Sequence, residues 1–293
     1  MKSSLIYGII GLIITLSTIS LFLIAQKNDQ GDMFTDIAAF YDDIQYCNSK
    51  NPRQQMDIHV PRGASQENPT PYVFYVHGGG WKEGSLRNNI DDYYPRFLIN
   101  QGIAFVTVDY RLVPEAVYPA QNQDIACAYT YLQKHGAQYG LDTTRVGIMG
   151  DSAGGQLSSM EAFRSSASGD VKALATFYGV TDLWYQITEN NSKTAIAYLG
   201  GTRDEALAKK ASPYHTPVEQ AVPTLLIHGT ADSLVTFENS KRQYEKLRAA
   251  GIEAVLLPVE GAKHGFGDAK GSRAQAEAQE PLTQWFVERL LRN

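Results

Sequence analysis

The residues best placed to do chemistry centre on Ser152, in the run Gly150-Asp151-Ser152-Ala153-Gly154 directly behind the apolar stretch Val146-Gly147-Ile148-Met149. A serine hydroxyl is a poor nucleophile until a turn exposes it, a base takes its proton and donors await the oxyanion. A strand turning sharply into a helix supplies that exposure, and it needs small residues two before and two after the serine, here Gly150 and Gly154. The helix that follows aims its N–H groups and positive dipole end at the reacting centre. Upstream, His77-Gly78-Gly79-Gly80-Trp81 closes another apolar run. Its glycines let backbone approach a substrate closely, so the amides of Gly79 and Gly80, with that of Ala153, are the expected oxyanion donors.

The base must be one of six histidines: His59, His77, His135, His215, His228 or His264. Serine hydrolases built on a doubly wound sheet run nucleophile, acid, histidine along the chain, which leaves the last three. His264 lies between glycines just after the final strand-like run and is the expected base. His228 ends the preceding strand-like run and orders a loop, while His215 falls in an irregular stretch. The expected acid is Asp232, on the loop after residues 224–227, with Asp182 as runner-up one strand earlier. Among the other acids, Asp109 and Arg111 are expected to pair, Asp124 to cap or brace its helix, and Asp151 to face away from substrate, with contact to a polar group in the pocket as the alternative. Trp81, Tyr110, Trp184 and Phe266 are expected aromatic pocket walls, with plain core packing as the rival reading.

Six runs must carry these side chains: residues 72–76, 103–108, 146–149, 173–178, 224–227 and 254–257. Each is apolar on both faces, the pattern of strands covered by helices on each side. Between them lie amphipathic segments. Ile125, Ala128, Tyr129 and Leu132 fall on one helical face behind Pro119, and Leu282, Trp285, Phe286 and Leu290 on another, with Pro281 near its start. Leu247 closes a helix ending near Gly251. Residues 44–47 and 56–60 alternate at period two around Asn51-Pro52, predicting an antiparallel hairpin at the sheet edge. The expected fold is α/β: a doubly wound, mostly parallel sheet with ligands at the carboxyl ends of its strands. Residues 181–217 interrupt the alternation, as a small cap over the site or a surface excursion.

The chain of 293 residues, with net charge -5 and 19% charged residues, suits one large globular domain. No basic cluster stands out, so nucleic acid is not an expected partner. Residues 5–24 hold no charge and are dominated by Leu, Ile and Phe. Twenty helical residues span roughly 30 Å, a bilayer core. Residues 1–25 therefore read as an uncleaved signal-anchor, with a cleaved secretion signal as the alternative because only Ala25 suits a cleavage site. Lys2 and the α-amine precede the span, which places the catalytic domain outside the cytoplasm. Residues 26–40 read as a polar tether and 41–293 as the catalytic domain. Cys47 and Cys127 make neither a disulfide framework nor a metal site; the reading favours two separate buried thiols over a pair.

Together these residues resemble the α/β-hydrolase superfamily, and within it the hormone-sensitive-lipase-like and feruloyl/acetyl-xylan-esterase-like branch. The resemblance rests on HGGGW at 77–81, VDYRLVPE at 108–115, YPA at 118–120, GDSAGG at 150–155, HGTADSLV at 228–235 and KHGF at 263–266. It implies a serine carboxylesterase using Ser152, Asp232 and His264 and no cofactor; with the N-terminal anchor, the expectation is a membrane-tethered enzyme acting on short acyl or aryl esters. The bulky N-terminal helical cap of hormone-sensitive-lipase relatives has no counterpart here. An amidase, arylformamidase or peptidase would use the same triad, and a non-catalytic binding protein would need none of these motifs together.

Overall fold

The computed structural model describes residues 37–87, 90–266 and 272–292. The anchor expected over residues 1–25 lies outside them; among the described residues no helix is long and apolar enough to cross a membrane. The first strand, β1 (Ile37–Gln45), begins inside the stretch read as a tether, so its last four residues belong to the sheet. β1 pairs antiparallel with β2 (Gln55–Pro61), forming the expected edge hairpin.

The six doubly apolar runs become β3 (Thr70–Val76), β4 (Ala104–Val108), β5 (Leu141–Asp151), β6 (Val171–Phe177), β7 (Thr224–Gly229) and β8 (Ala254–Val259). They lie parallel to one another, and the eight-stranded order is β1-β2-β4-β3-β5-β6-β7-β8. Side chains along β3 alternate between two cores. Val73 and Tyr75 face one that includes Leu98 of α1 (Ile90–Ile99) and Trp285 and Phe286 of α8 (Arg273–Leu290). Tyr72, Phe74 and Val76 face the other, with Ile125 and Leu132 of α2 (Ala120–His135) and Leu157 of α3 (Ser152–Ser165). Burial on both faces, which period-free apolar composition implies, holds for β3, β4 and β7, whereas β8 lies at the sheet edge and leaves Val255 exposed.

β4 lies on one side of β3 and β5 on the other, so the winding direction reverses there. Connections leaving β3 and β5 at that reversal part in opposite directions and open a crevice at the strands' carboxyl ends. The glycine-rich loop after β3 and Ser152 after β5 both enter it.

Three expectations need correction. Pro281 does not start the last helix: α8 begins at Arg273, capped by the Ser272 hydroxyl accepting from the Gln275 amide, and carries the proline inside. Cys47 and Cys127 are bonded rather than separate, because the turn after β1 brings its Cα to 5.7 Å from that of Cys127 on α2, within bridging distance. Asp109 and Arg111 do not pair. Arg111 turns to Asp124, with Nη2 at 2.6 Å from a carboxylate oxygen, while Asp109 binds His77 at 3.0 Å and Arg53 at 3.2 Å.

Candidate active site

Ser152 sits where β5 becomes α3, with φ of 51°. That left-handed conformation costs a non-glycine residue on the order of 1 kcal/mol. The surrounding packing enforces it, since a Cβ at Gly154 would overlap the carbonyl oxygens of Val76 and His77. The hydroxyl is thereby held up from the sheet against His264, whose Nε2 lies 2.9 Å from Ser152 Oγ. On the other side of the ring, Nδ1 is 2.6 Å from Asp232 Oδ2. A carboxylate only accepts, so the ring proton resides on Nδ1 and the Nε2 lone pair faces the serine hydroxyl.

Asp232 is itself fixed by the loop after β7. Its Oδ1 accepts the amides of Leu234 at 2.9 Å and Val235 at 3.0 Å. His228 stands beside it, Nε2 at 3.4 Å from Oδ2, while donating to the Val235 carbonyl at 2.7 Å and taking the Ser240 hydroxyl on Nδ1. Burial pulls the Asp232 carboxyl upward, but donors from His228 and His264, the His264 charge and the Leu234 amide outweigh it and hold it well below the usual carboxylate range. The runner-up, Asp182, is occupied elsewhere: it caps α4 (Leu183–Thr188) and lies within 3.3 Å of His215 and 3.2 Å of Arg242.

The loop after β3 turns its amides toward the same point. The Gly78 carbonyl accepts from His77 Nδ1 at 2.7 Å and the Tyr110 hydroxyl at 3.4 Å. The Gly79 carbonyl accepts the amides of Lys82 and Glu83, both at 3.1 Å. In a trans peptide the N–H points opposite to the carbonyl, so the amides of Gly79 and Gly80 face away from these contacts. Among the described residues neither has an acceptor. Gly79 has φ of 107°, and a Cβ there would overlap the Glu83 carbonyl, so no other residue fits. The Ala153 amide lies in the first turn of α3, where N–H groups lack intrahelical acceptors.

These groups line a cavity of about 340 Å³. Gly79, Gly80, Ser152, Ala153 and His264 border it, with Val180, Leu234 and Val235 as apolar wall. Residues 181–217, hereafter the cap, border it through Gln186, Ser192 and Thr194. Of the four expected aromatic walls, Trp81 borders the cavity, though it is only 1% exposed. Tyr110 is buried against the His77 ring, Trp184, on α4 of the insertion itself, is partly buried against the core, and Phe266 is wedged against Phe177 and Tyr178. Tyr178 takes the aromatic place instead, its ring edge-on to His264. Asp151 also borders the cavity, the alternative expected for it, while its Oδ1 accepts from Tyr75 at 2.6 Å and from the Gly78 amide at 2.8 Å. Burial pushes its carboxyl up, against the pull of the Tyr75 hydroxyl, His77, the Gly78 amide and His264. Nothing in a linear pattern marks Gln186, Ser192 and Thr194 as bordering this cavity. Among the described residues no cluster of His, Cys, Asp or Glu is arranged to hold a metal ion.

The strand order, the crossover reversal and the serine elbow define an α/β-hydrolase. The chain belongs to the BD-FAE family, whose model matches residues 56–247. It is similar to Esterase LipC of Mycobacterium tuberculosis, 26% identical over 76% of this chain and 59% of that protein. The chain thus spans about three fifths of that relative's length. Its fold superposes on a truncated carbohydrate esterase from gut microbiota with a TM-score of 0.77, at 20% identity over 88% of this chain and 98% of that one. It superposes on carboxyl esterase 2 of the fungus Tuber melanosporum with a TM-score of 0.68, at 25% identity over 80% of this chain and 81% of that one.

Proposed function

We propose that this chain is a serine carboxylesterase that hydrolyses short acyl or aryl esters through an acyl-enzyme on Ser152. One observation carries the reading: a single imidazole bridges the Ser152 hydroxyl and the Asp232 carboxylate at hydrogen-bonding distance on both sides. Ser152 Oγ attacks the ester carbonyl as His264 Nε2 takes its proton, and Asp232 stabilises the imidazolium that results. The amides of Gly79, Gly80 and Ala153 receive the developing oxyanion. His264 then protonates the leaving alcohol, and water repeats the sequence on the acyl-enzyme. The cavity of about 340 Å³ favours small acyl groups.

The test uses the full chain in detergent with p-nitrophenyl esters from acetate to dodecanoate and the matching anilides. Turnover should peak at the short esters and fall by a factor on the order of 10⁵ or more in Ser152→Ala. Ester turnover surviving that change would reject the nucleophile, and anilide rates equal to ester rates would replace esterase by amidase.

We further propose that the catalytic domain, whose sheet begins at Ile37, lies outside the cytoplasm, held to the membrane by residues 1–25 through a tether beginning at 26. Two features support it: the Cys47–Cys127 bond, of a kind that persists in oxidising compartments, and the positive charge ahead of the apolar run. Protease shaving of intact cells should remove the activity, and full protection of the domain would reverse the orientation.

A further inference from the structure

Three consecutive residues after Gly78 hold positive φ: Gly79 at 107°, Gly80 at 59° and Trp81 at 59°. Glycine accepts this freely, whereas a tryptophan does so only when its surroundings over-determine it. Three contacts hold Trp81 there. Its carbonyl accepts the Val113 amide at 2.8 Å, its ring stacks on Tyr198 at 4.4 Å and 14°, and its Nε1–H donates to Gln156 Oε1 at 3.0 Å. Tyr198 closes α5 (Lys193–Tyr198), within the cap. Gln156 is fully buried on α3, four residues beyond the nucleophile, and its Nε2 donates at 2.8 Å to the carbonyl of Ala211, at the end of α6 (Glu205–Lys210). Trp81 can only donate and the carbonyl can only accept, so one orientation of the Gln156 amide satisfies both.

We infer that Gln156 is a positioning residue: through Trp81 it fixes the backbone that presents the Gly79 and Gly80 amides, and through Ala211 it ties that geometry to the cap. No part of the hydrolytic sequence uses the Gln156 side chain, yet it joins the helix of the nucleophile, the oxyanion loop and the cap in one buried contact. Without it, the indole N–H loses its acceptor and the strained Trp81 backbone can relax toward negative φ. The adjoining Gly80 peptide then rotates away from the oxyanion. Trp81 borders the cavity at only 1% exposure, and the apolar walls Val180, Leu234 and Val235 take no part in this network, so the loss falls on turnover rather than on substrate affinity.

The inference rests on the esterase reading, and inactivity of Ser152→Ala tests that reading separately. Here the full chain is compared with Gln156→Met, Trp81→Phe and the double variant on p-nitrophenyl acetate. Methionine keeps volume and helix propensity, and phenylalanine keeps a stacking ring but has no N–H. Each single change should lower kcat about tenfold with KM within about twofold, and the double variant should be no slower than the slower single. Should Gln156→Met fail to fold, Trp81→Phe still has to show the kcat loss at constant KM. Losses that multiply in the double variant, a change confined to KM, or unaltered kcat in Trp81→Phe would each overturn the inference.

Discussion

Replacing Asp232 by asparagine isolates what the carboxylate does, because the surrounding loop dictates how the new amide must lie. Both the Leu234 and Val235 amides donate to Oδ1, at 2.9 and 3.0 Å. In Asp232→Asn the amide oxygen must take that place to keep them satisfied, which puts the NH₂ group where Oδ2 now meets His264 Nδ1 at 2.6 Å. An N–H cannot face an N–H, so the ring moves its proton to Nε2 and presents it to Ser152 Oγ. The imidazole then has no lone pair for the serine proton, and the cation formed during attack loses its counter-charge. Loss of the correct tautomer in such a triad costs about 10⁴ in kcat, or about 5.5 kcal/mol of transition-state stabilisation. The loop amides stay bonded, so folding is preserved and circular dichroism should be unchanged. The assay is steady-state hydrolysis of p-nitrophenyl acetate at pH 7.5, with labelling of Ser152 by a small phosphonate as a second readout. A folded Asp232→Asn variant within tenfold of wild-type kcat would refute the tautomer argument.

Two further outcomes are expected. Because the folded-state pKa of Asp232 is depressed, its contribution to stability is fully present above the unfolded carboxyl value near 3.9 and fades as pH falls toward the folded one. The stability gap between wild type and Asp232→Asn, followed by thermal denaturation, should therefore narrow below about pH 4; a constant gap down to pH 2 would count against it. Cys47 and Cys127 close a loop with a sequence separation of 80, so the double serine variant should lose about 2–4 kcal/mol in urea titrations, whereas a loss under about 0.5 kcal/mol would mean the bond does not constrain the unfolded chain.

The strands were readable because their apolar runs are unbroken, as in β3, where all seven residues are buried. The triad was readable for a different reason: each member follows a strand, so chain order restricted the choice before any geometry was known. Helix α1 escaped notice because Pro95 and a polar start interrupt its pattern, although Tyr94 and Leu98 are buried. The pocket aromatics failed on a physical ambiguity. Tyr110 and Phe266 are as hydrophobic in the core as on a cavity wall, and a linear sequence carries no information on which side of the ring is empty. Gln156 and Gln186 went unmarked because a buried amide reveals its importance only through its partners, Trp81 and Ala211 for one and the Leu234 carbonyl for the other.

The cap is one contiguous stretch between β6 and β7, so its length can change without disturbing strand register. Two of its side chains nevertheless grip the catalytic loops: Gln186 holds the Leu234 carbonyl beside the acid, and Tyr198 lies flat on Trp81 beside the oxyanion glycines. The shape of this stretch and the placement of the loops bearing Asp232 and the glycine amides are therefore coupled. A descendant that exchanges this stretch for one of another shape must rebuild both handholds, or accept slower chemistry with its new diet.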